Sequence, residues 1–407
     1  MKAGRRVLLG VSGGIASYKS CTLARLLAQS GARVSVALTR SAAQFIGPVT
    51  FEALTGEPVL RSLWEPGRAL DHIRVPRAAD LVIVAPATAH LMGRLAQGLA
   101  DDLLSTMVLA HTGPLLIAPA MNDAMFAHPA VQSARATLVE RGAVMVGPVS
   151  GPLAEGPSER PGRMAEPEAI VQHALRMLRR GGPLDGARVV VTAGPTREPL
   201  DPVRFLSNRS SGKMGFQLAA AAWRRGASVT LVSGPSAVPA PEGVDLVPVE
   251  TTAEMERAVR RVLGSADVLI MAAAPADFRP RDTAEVKRPR SEGALNLELE
   301  PTDDVLLGTR EVRRQGSTVV GFALETGDAL ARGRAKLTRK DLDIIVVNDA
   351  LEEGAGFEVD TNRVTIIERD GTVTDRPLQT KAAVADDILD VVERHRVSQT
   401  AVSGAAD

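Results

Sequence analysis

The run Asp201-Pro-Val-Arg-Phe-Leu-Ser-Asn-Arg-Ser-Ser-Gly-Lys-Met-Gly215 crowds hydroxyl, amide and cationic side chains into one loop, between an apolar Val189-Val-Val-Thr192 and a helical pattern starting at Lys213. Such a loop can hold phosphates. Gly212 and Gly215 allow close backbone approach, Ser210 and Ser211 offer hydroxyls, and the following helix presents the positive end of its dipole. The glycine spacing and the residue after Lys213 exclude the G-x-x-x-x-G-K-[ST] loop, and an ordinary capped helix entry would use similar residues.

A second candidate, Gly10-Val-Ser-Gly-Gly-Ile-Ala-Ser-Tyr-Lys19, links the first strand pattern to the first helix pattern, at the strand edge where parallel sheets bind ligands. A bare glycine-rich turn would look much the same. Other polar strand ends strengthen the case: Thr39-Arg-Ser41, Ala85-Pro-Ala-Thr-Ala89, Ala118-Pro-Ala-Met-Asn122, and Asp101-Asp-Leu-Leu-Ser-Thr-Met107 opening a helix. Together they can line a cofactor site. His72, in Asp71-His-Ile73 just before a strand, can exchange protons near neutrality or be a satisfied structural histidine. Asn122 can grip a carboxylate or amide, or cap a helix.

Lysine is scarce, seven residues against forty-one arginines, yet Lys213, Lys287, Lys336 and Lys340 all fall in stretches singled out on other grounds. A compact ammonium neutralises phosphate differently from a planar guanidinium.

The elements that must position these groups form two α/β halves. The first alternates strand patterns at 7–11, 34–38, 81–85, 115–118 and 143–146 with helical patterns such as 16–30 and 129–141, which implies a doubly wound parallel sheet. A helix from Pro167 stops in Arg179-Arg-Gly-Gly-Pro-Leu-Asp-Gly186, the expected linker between domains at 1–182 and 187–395. The second half repeats the style with strands near 188–192, 228–232, 244–249, 268–271, 319–323 and 344–347. It closes with a hairpin turning at Asp370-Gly371, a helix over 381–394 and a polar tail, 396–407, expected to be disordered.

Composition sets limits. The 407 residues carry 48 Lys+Arg against 48 Asp+Glu, so the net charge gives no footprint for nucleic acid. No apolar run is long enough to span a bilayer. Cys21, the single cysteine, excludes an intrachain disulfide and a multi-cysteine metal site, and a cytoplasmic location is the expectation.

The first half resembles the flavin-dependent cysteine decarboxylases, through V-S-G-G-I-A-S-Y-K, D-H-I, A-P-A-T-A and P-A-M-N at 119–122. The second is similar to phosphopantothenate–cysteine ligases, through the run from Thr192 to Gly215, A-A-A-P-A-D-F, G-F-A-L-E-T and K-L-x-R-K-D-L-D-I-I-V-V-N-D. In this order, over residues 5 to 395, the chain resembles the bifunctional bacterial coenzyme A biosynthesis family. That resemblance implies a flavodoxin-like FMN domain followed by a Rossmann-like ligase domain. The ligase would activate 4′-phosphopantothenate with CTP as an acyl cytidylate, and cysteine's amine would displace CMP. The decarboxylase would convert phosphopantothenoylcysteine to 4′-phosphopantetheine through an enethiolate.

The resemblance also assigns residues. FMN would contact Gly13, Gly14, Ile15, Thr39, Thr88, Ser105, Thr106 and Met107, with His72, Asn122 and Arg163 acting on the substrate. Asn208 would hold the acyl cytidylate. CTP would contact Ser210, Ser211, Ala272, Ala273, Asp277, Lys287, Thr302, Asp303, Asp304, Val305, Phe322, Lys336 and Lys340, with Mg²⁺ near Asp277. On the residues alone, Asp277 reads as a helix cap and Lys336 with Lys340 as an exposed face. Homo-oligomers are implied, with trimer-based flavin halves and dimeric ligase halves building a dodecamer.

One departure matters. The family's flap carries a proton-donating cysteine in L-A-C-G, whereas this chain reads Leu153-Ala-Glu155-Gly, with Arg163-Met164 retained. Glu155 can donate the proton itself if the closed flap desolvates it. Otherwise the reaction stops at the oxidised enethiol, or this half keeps flavin binding without turnover. Two rivals from other classes are a non-catalytic FMN-binding regulator and a Rossmann dehydrogenase. The latter wants G-x-G-x-x-G and an acidic residue after the second strand, where Thr39-Arg-Ser41 stands.

Overall fold

The structure, a computed structural model, describes residues 4–287, 295–325, 328–349, 356 and 359–403. The chain divides into two compact units, Met1–Arg179 and Arg180–Asp407.

The first unit runs β1 (Arg6–Val11), α1 (Ser17–Gln29), β2 (Arg33–Leu38), α2 (Pro48–Thr55), α3 (Asp71–Ala78), β3 (Leu81–Ala87), α4 (Ala89–Gln97), α5 (Leu103–Ala110), β4 (Leu115–Pro119), α6 (Asp123–Ala127), α7 (Pro129–Glu140), β5 (Val144–Met145) and α8 (Pro167–Leu178). Its sheet has the order β2-β1-β3-β4-β5, parallel throughout. The apolar runs become strands because both faces are covered. Val7, Leu9 and Val11 pack with Leu23 and Leu27 of α1 and Ile170 and Ala174 of α8. Leu8, Val82 and Val84 pack on the other side with Leu91 of α4, Leu104 of α5 and Leu138 of α7. Strand order reverses between β1 and β3, and the crevice at their carboxyl ends is where a flavodoxin-like sheet takes its ligand.

The second unit runs β6 (Arg188–Ala193), β7 (Arg197–Pro199), β8 (Phe205–Ser207), α9 (Lys213–Arg224), β9 (Ser228–Ser233), β10 (Asp245–Pro248), α10 (Thr252–Leu263), β11 (Val268–Met271), β12 (Phe278–Pro280), β13 (Leu299–Pro301), α11 (Val305–Gly308), β14 (Thr318–Glu325), α12 (Ala329–Arg339), β15 (Ile344–Asp349), β16 (Thr361–Glu368), β17 (Val373–Thr380) and α13 (Lys381–Ser403). Its main sheet is ordered β10-β9-β6-β11-β14-β15-β16-β17. Strands up to β15 are parallel, and the β16–β17 hairpin joins antiparallel, with Gly371 at φ +95° in its turn. The parallel part has the dinucleotide-fold order, reversing between β6 and β11.

Two expectations change. Asp71 and His72 open α3 rather than leading directly into a strand; Arg68 Nε donates to Asp71 Oδ2 at 2.8 Å at that helix start. The stretch expected to be a disordered tail continues α13 as far as Ser403. Arg396 donates from Nη1 to the Asp267 carbonyl at 3.1 Å, which anchors the helix beyond the expected end. Residues 404–407 lie outside the described residues, as does Thr326, the last residue of G-F-A-L-E-T.

Candidate active sites

The loop after β1 is stapled from within: Ser17 Oγ donates to the carbonyls of Ser12 and Gly14 at 3.1 and 2.6 Å. Ser12 Oγ donates to the Pro86 carbonyl at 2.8 Å and accepts from Thr88 N at 3.1 Å, joining the ends of β1 and β3. Thr88 also caps α4, accepting from Leu91 N at 3.3 Å. The opposite wall is the turn after β2, held by Ala42 N donating to Thr39 Oγ1 at 3.1 Å. These loops meet closely, since a Cβ on Gly13 would stand 2.3 Å from Ser41 Cβ.

Between them lies a cavity of about 1070 Å³, large for a small-molecule site. Gly13, Gly14, Ile15, Thr39, Thr88, Asn122, Glu155 and Arg163 all line it. Ser105, Thr106 and Met107 do not. Ser105 and Met107 are buried in α5, and Ser105 completes a capping box with Asp102. Asp102 itself lines the cavity beside Arg94, which pairs with Asp101 and, at 2.9 Å, with Asp102. His72 also lies outside, half-buried on α3 where that helix packs on α5.

Sequence reasoning missed Arg94, which sits mid-helix with no motif around it. Lys19 ends the Gly10–Lys19 run, and no role is assigned to it from the sequence. Lys19 is buried, donates to Met164 O at 3.1 Å and pairs with Glu166 at 3.0 Å. Glu166 accepts from Arg163 as well, at 2.6 Å, so one carboxylate orients two cavity cations. Cys21 sits in α1 against the core, where burial pushes its thiol up, which suits packing rather than acid catalysis.

The flap folds over this cavity. Val149 pairs with Arg163 at its base, and Leu153 and Gly156 exchange backbone hydrogen bonds at 2.8 and 3.1 Å near its tip. Glu155 at the tip accepts a hydrogen bond from Asn122 Nδ2. Asn122 also caps α6 through its Oδ1, which is the second of its two sequence readings, and this leaves Nδ2 turned to the cavity.

The second cavity, about 550 Å³, opens at the β6/β11 reversal. Asn208, Ser211, Ala272, Ala273, Asp277, Thr302, Asp303, Asp304, Val305, Phe322, Lys336 and Lys340 all line it. Asn208 Nδ2 donates to the carbonyls of Ala274 and Pro275 at 3.1 and 2.9 Å, tying the loop before α9 to the end of β11. Thr196 Oγ1 accepts from Ala276 N at 2.8 Å, and Thr302 Oγ1 donates to Ala276 O at 2.5 Å, so three strand ends share one polar network. Asp277 is exposed beside β12 and caps no helix.

Lys336 and Lys340 turn inward rather than forming an exposed face. Lys336 Nζ donates to Phe322 O at 2.8 Å, and Lys340 pairs with Asp304 at 2.8 Å. Burial opposes the Asp304 charge, but the Lys340 ammonium and the amides of α11 prevail and hold its carboxyl below its ordinary value. Ser210 lies just outside, in an adjoining cavity that shares Ser211, Lys213 and Lys381 with this one. Lys287 is exposed and lines neither, and its ammonium has no partner among the described residues. Lys381, unnoticed in the sequence, is 5% exposed and donates to the carbonyls of Gly356 and Val359 at 2.8 and 2.6 Å.

A flavodoxin-order sheet with a pinched glycine loop, followed by a dinucleotide-order sheet with a lysine-lined cavity, defines a two-domain α/β protein of the flavoprotein class with a second cavity in its second domain. Matches to known proteins agree. The Flavoprotein family model matches residues 1–179, and the DNA/pantothenate metabolism flavoprotein C-terminal domain model matches residues 184–395. Coenzyme A biosynthesis bifunctional protein CoaBC of Bacillus subtilis (strain 168) is 45% identical over 390 residues, covering 95% of this chain and 96% of that protein. Its Vibrio cholerae (serotype O1, El Tor Inaba N16961) counterpart is 43% identical over 396 residues, covering 96% and 98%. The solved C-terminal domain of a CoaBC protein is 40% identical, covers 53% of this chain and 97% of its own, and aligns with a TM-score of 0.45. The chain belongs to the family of bifunctional coenzyme A biosynthesis enzymes.

Proposed function

We propose that the second domain joins 4′-phosphopantothenate to L-cysteine with CTP, and that the first decarboxylates phosphopantothenoylcysteine with FMN to give 4′-phosphopantetheine. The observation that carries this is the gathering of Asn208, Ser211, Asp277, Phe322, Lys336 and Lys340 around one cavity, from four separate chain segments. An amine does not displace oxide from a carboxylate. Forming an acyl cytidylate, with loss of diphosphate, makes CMP the leaving group, and the site contributes alignment and charge neutralisation.

In this reading the cytidine triphosphate lies along 272–277, 302–305 and α12, and the phosphate of the acid lies toward the α9 N-terminus, Lys213 and Lys381. The described residues hold no group of three metal-ligating side chains. Mg²⁺ would enter with the triphosphate and neutralise its charge, with Asp277 available as one carboxylate.

In the first domain, FMN supplies reversible two-electron oxidation at the thiol-bearing carbon of the substrate. The chain fits it: among the described residues, the amides of Gly13, Gly14, Ile15 and Ala16 donate to no protein acceptor, leaving a cradle for a phosphate before α1. Asn122 and Arg163 hold the substrate carboxylate, and Glu155 supplies the final proton. His72, outside its own cavity, acts at the cavity of a second copy, as a trimer-based assembly would allow. The working compartment is the cytoplasm; among the described residues no helix is long and apolar enough to cross a membrane.

Mass analysis after anaerobic incubation with 4′-phosphopantothenate, cysteine, CTP, Mg²⁺ and FMN tests this. Phosphopantetheine formed over many turnovers supports both halves. Phosphopantothenoylcysteine alone leaves only the ligase, and a product two hydrogens lighter, formed once per flavin, means that Glu155 fails as the acid.

A further inference from the structure

Asn122 has an orientation that leaves little choice. Its Oδ1 accepts from Ala124 N at 2.8 Å and Met125 N at 3.2 Å, and turning the amide over would point its NH₂ at two N–H donors. Nδ2 therefore faces the cavity, where it meets Glu155 Oε1. The flap is fastened to the same short segment. Met121 N donates to Gly162 O at 2.9 Å, Ser158 Oγ donates to Asp123 Oδ2 at 2.6 Å, and a Cβ on Gly162 would stand 2.7 Å from Met121 O. The Ser158 hydroxyl, aided by the Ala124 amide, holds the Asp123 carboxyl below its ordinary value, so it remains an acceptor at neutral pH.

We propose that Asn122 Nδ2 seats two carboxyl groups in turn: the substrate's carboxylate until CO₂ leaves, and Glu155 afterwards, so that loss of CO₂ admits the acid. This rests on the reading of the first domain as a phosphopantothenoylcysteine decarboxylase. Nδ2 bears two hydrogens, but two carboxylates on one nitrogen would lie close enough to repel each other. Once CO₂ has gone, the Glu155 O–H breaks and its proton bonds to the carbon that bore the carboxylate. The C=C pair makes that C–H bond, and a sulfur pair of the enethiolate makes C=S. No electrons are gained or lost in this step. The new Glu155 carboxylate accepts from Asn122, the contact seen here, and regains its proton from water.

Calorimetry on the FMN-loaded protein separates the seat from the chemistry, using two unreactive ligands. One is 4′-phosphopantothenoyl-alanine, which keeps the carboxylate and lacks the thiol; the other is N-ethyl 4′-phosphopantothenamide, which lacks both. Only the first must displace Glu155. Glu155→Ala should tighten the alanine ligand by about tenfold, the worth of one hydrogen bond to a charged group, and leave the ethylamide unchanged. Glu155→Gln keeps a neutral acceptor for Asn122 and should fall between. In an Asn122→Ser background, which retains a capping oxygen and removes Nδ2, the gain should vanish. A gain shared by both ligands, no gain, or a gain surviving Asn122→Ser overturns the shared seat. If the binding pattern holds while wild-type protein leaves phosphopantothenoylcysteine unconverted, the seat stands and the decarboxylase reading falls.

Discussion

Gly13→Ala probes the first cavity at its narrowest point. The added Cβ would lie 2.3 Å from Ser41 Cβ, 2.8 Å from Ser41 C and 3.1 Å from Ala42 N, whereas on Gly14 it would meet only Thr88 Cγ2 at 3.7 Å. Carbon atoms in comfortable contact are roughly 3.5–4.0 Å apart, so the Gly13 shortfall exceeds about 1 Å. Part of the obstruction is backbone, and no rotamer change relieves it. The turn after β2 is also held by the Thr39 hydroxyl, so it must move as a unit. Overpacking of this kind costs about 1–3 kcal/mol. If the loops part to relieve it, the cost appears as FMN binding weakened roughly 5- to 150-fold. If they stay, it appears as a lower Tm. Gly14→Ala, an ordinary contact, should change either by less than about 0.5 kcal/mol. Flavin-fluorescence titration of apoprotein and thermal denaturation measure both. Gly13→Ala with wild-type affinity and wild-type Tm, or equal losses in the two variants, would refute the pinched-loop reasoning.

Arg225, 1% exposed, joins Asp386, Asp390 and Glu393 of α13 at 3.2, 2.7 and 2.9 Å. Breaking a buried pair typically costs about 3–5 kcal/mol, and because Asp386 and Asp390 remain partly hydrated, Arg225→Met should fall near the lower end. Urea denaturation reads this directly, and a loss below about 1 kcal/mol would show that the pairs do not clamp the helix. Burial first, and then the neighbouring Lys213, lower the Lys381 ammonium from 10.5 to about 8, against the pull of Asp360. The unfolded chain thus holds this proton more tightly, so the Lys381 contribution raises stability as pH climbs from about 8 to 10.5. Phosphate recognition should move the opposite way, with kcat/KM for 4′-phosphopantothenate falling above pH 8 as the charge is lost. Lys381→Arg should abolish that fall, and a fall persisting unchanged in it would assign the titration elsewhere.

The sheets were readable because strands covered on both faces become near-continuous apolar runs, and the loops at their carboxyl ends announce themselves through glycine, serine and asparagine. Strand positions fix which loops share an edge, so most residues expected around each cavity do line it. The failures have local causes. Ser105, Thr106 and Met107 follow the right helix start, but one side of that first turn faces the core and leaves Asp102 and Arg94 at the cavity. Asp71 and His72 resemble a strand approach until α3 intervenes and carries the half-buried His72 away from the cavity lining.

Lysine scarcity was a better signal than motif spacing suggested. Of seven lysines, Lys19 lines the first cavity and Lys213, Lys336, Lys340 and Lys381 the second, leaving Lys2, which lies outside the described residues, and the exposed Lys287. Where arginine supplies most of the positive charge, the lysines that remain mark positions needing a compact cation that can be partly desolvated. Lys381 escaped notice because it opens a C-terminal helix far from either glycine loop. Glu155 and Asn122 show the opposite limit. The replacement of the family's flap cysteine was visible in the sequence, but its consequence was not, because it depends on which amide the flap tip meets. That amide is presented by a helix cap 33 residues away, and its direction is set by Ala124 and Met125, residues with no chemistry of their own.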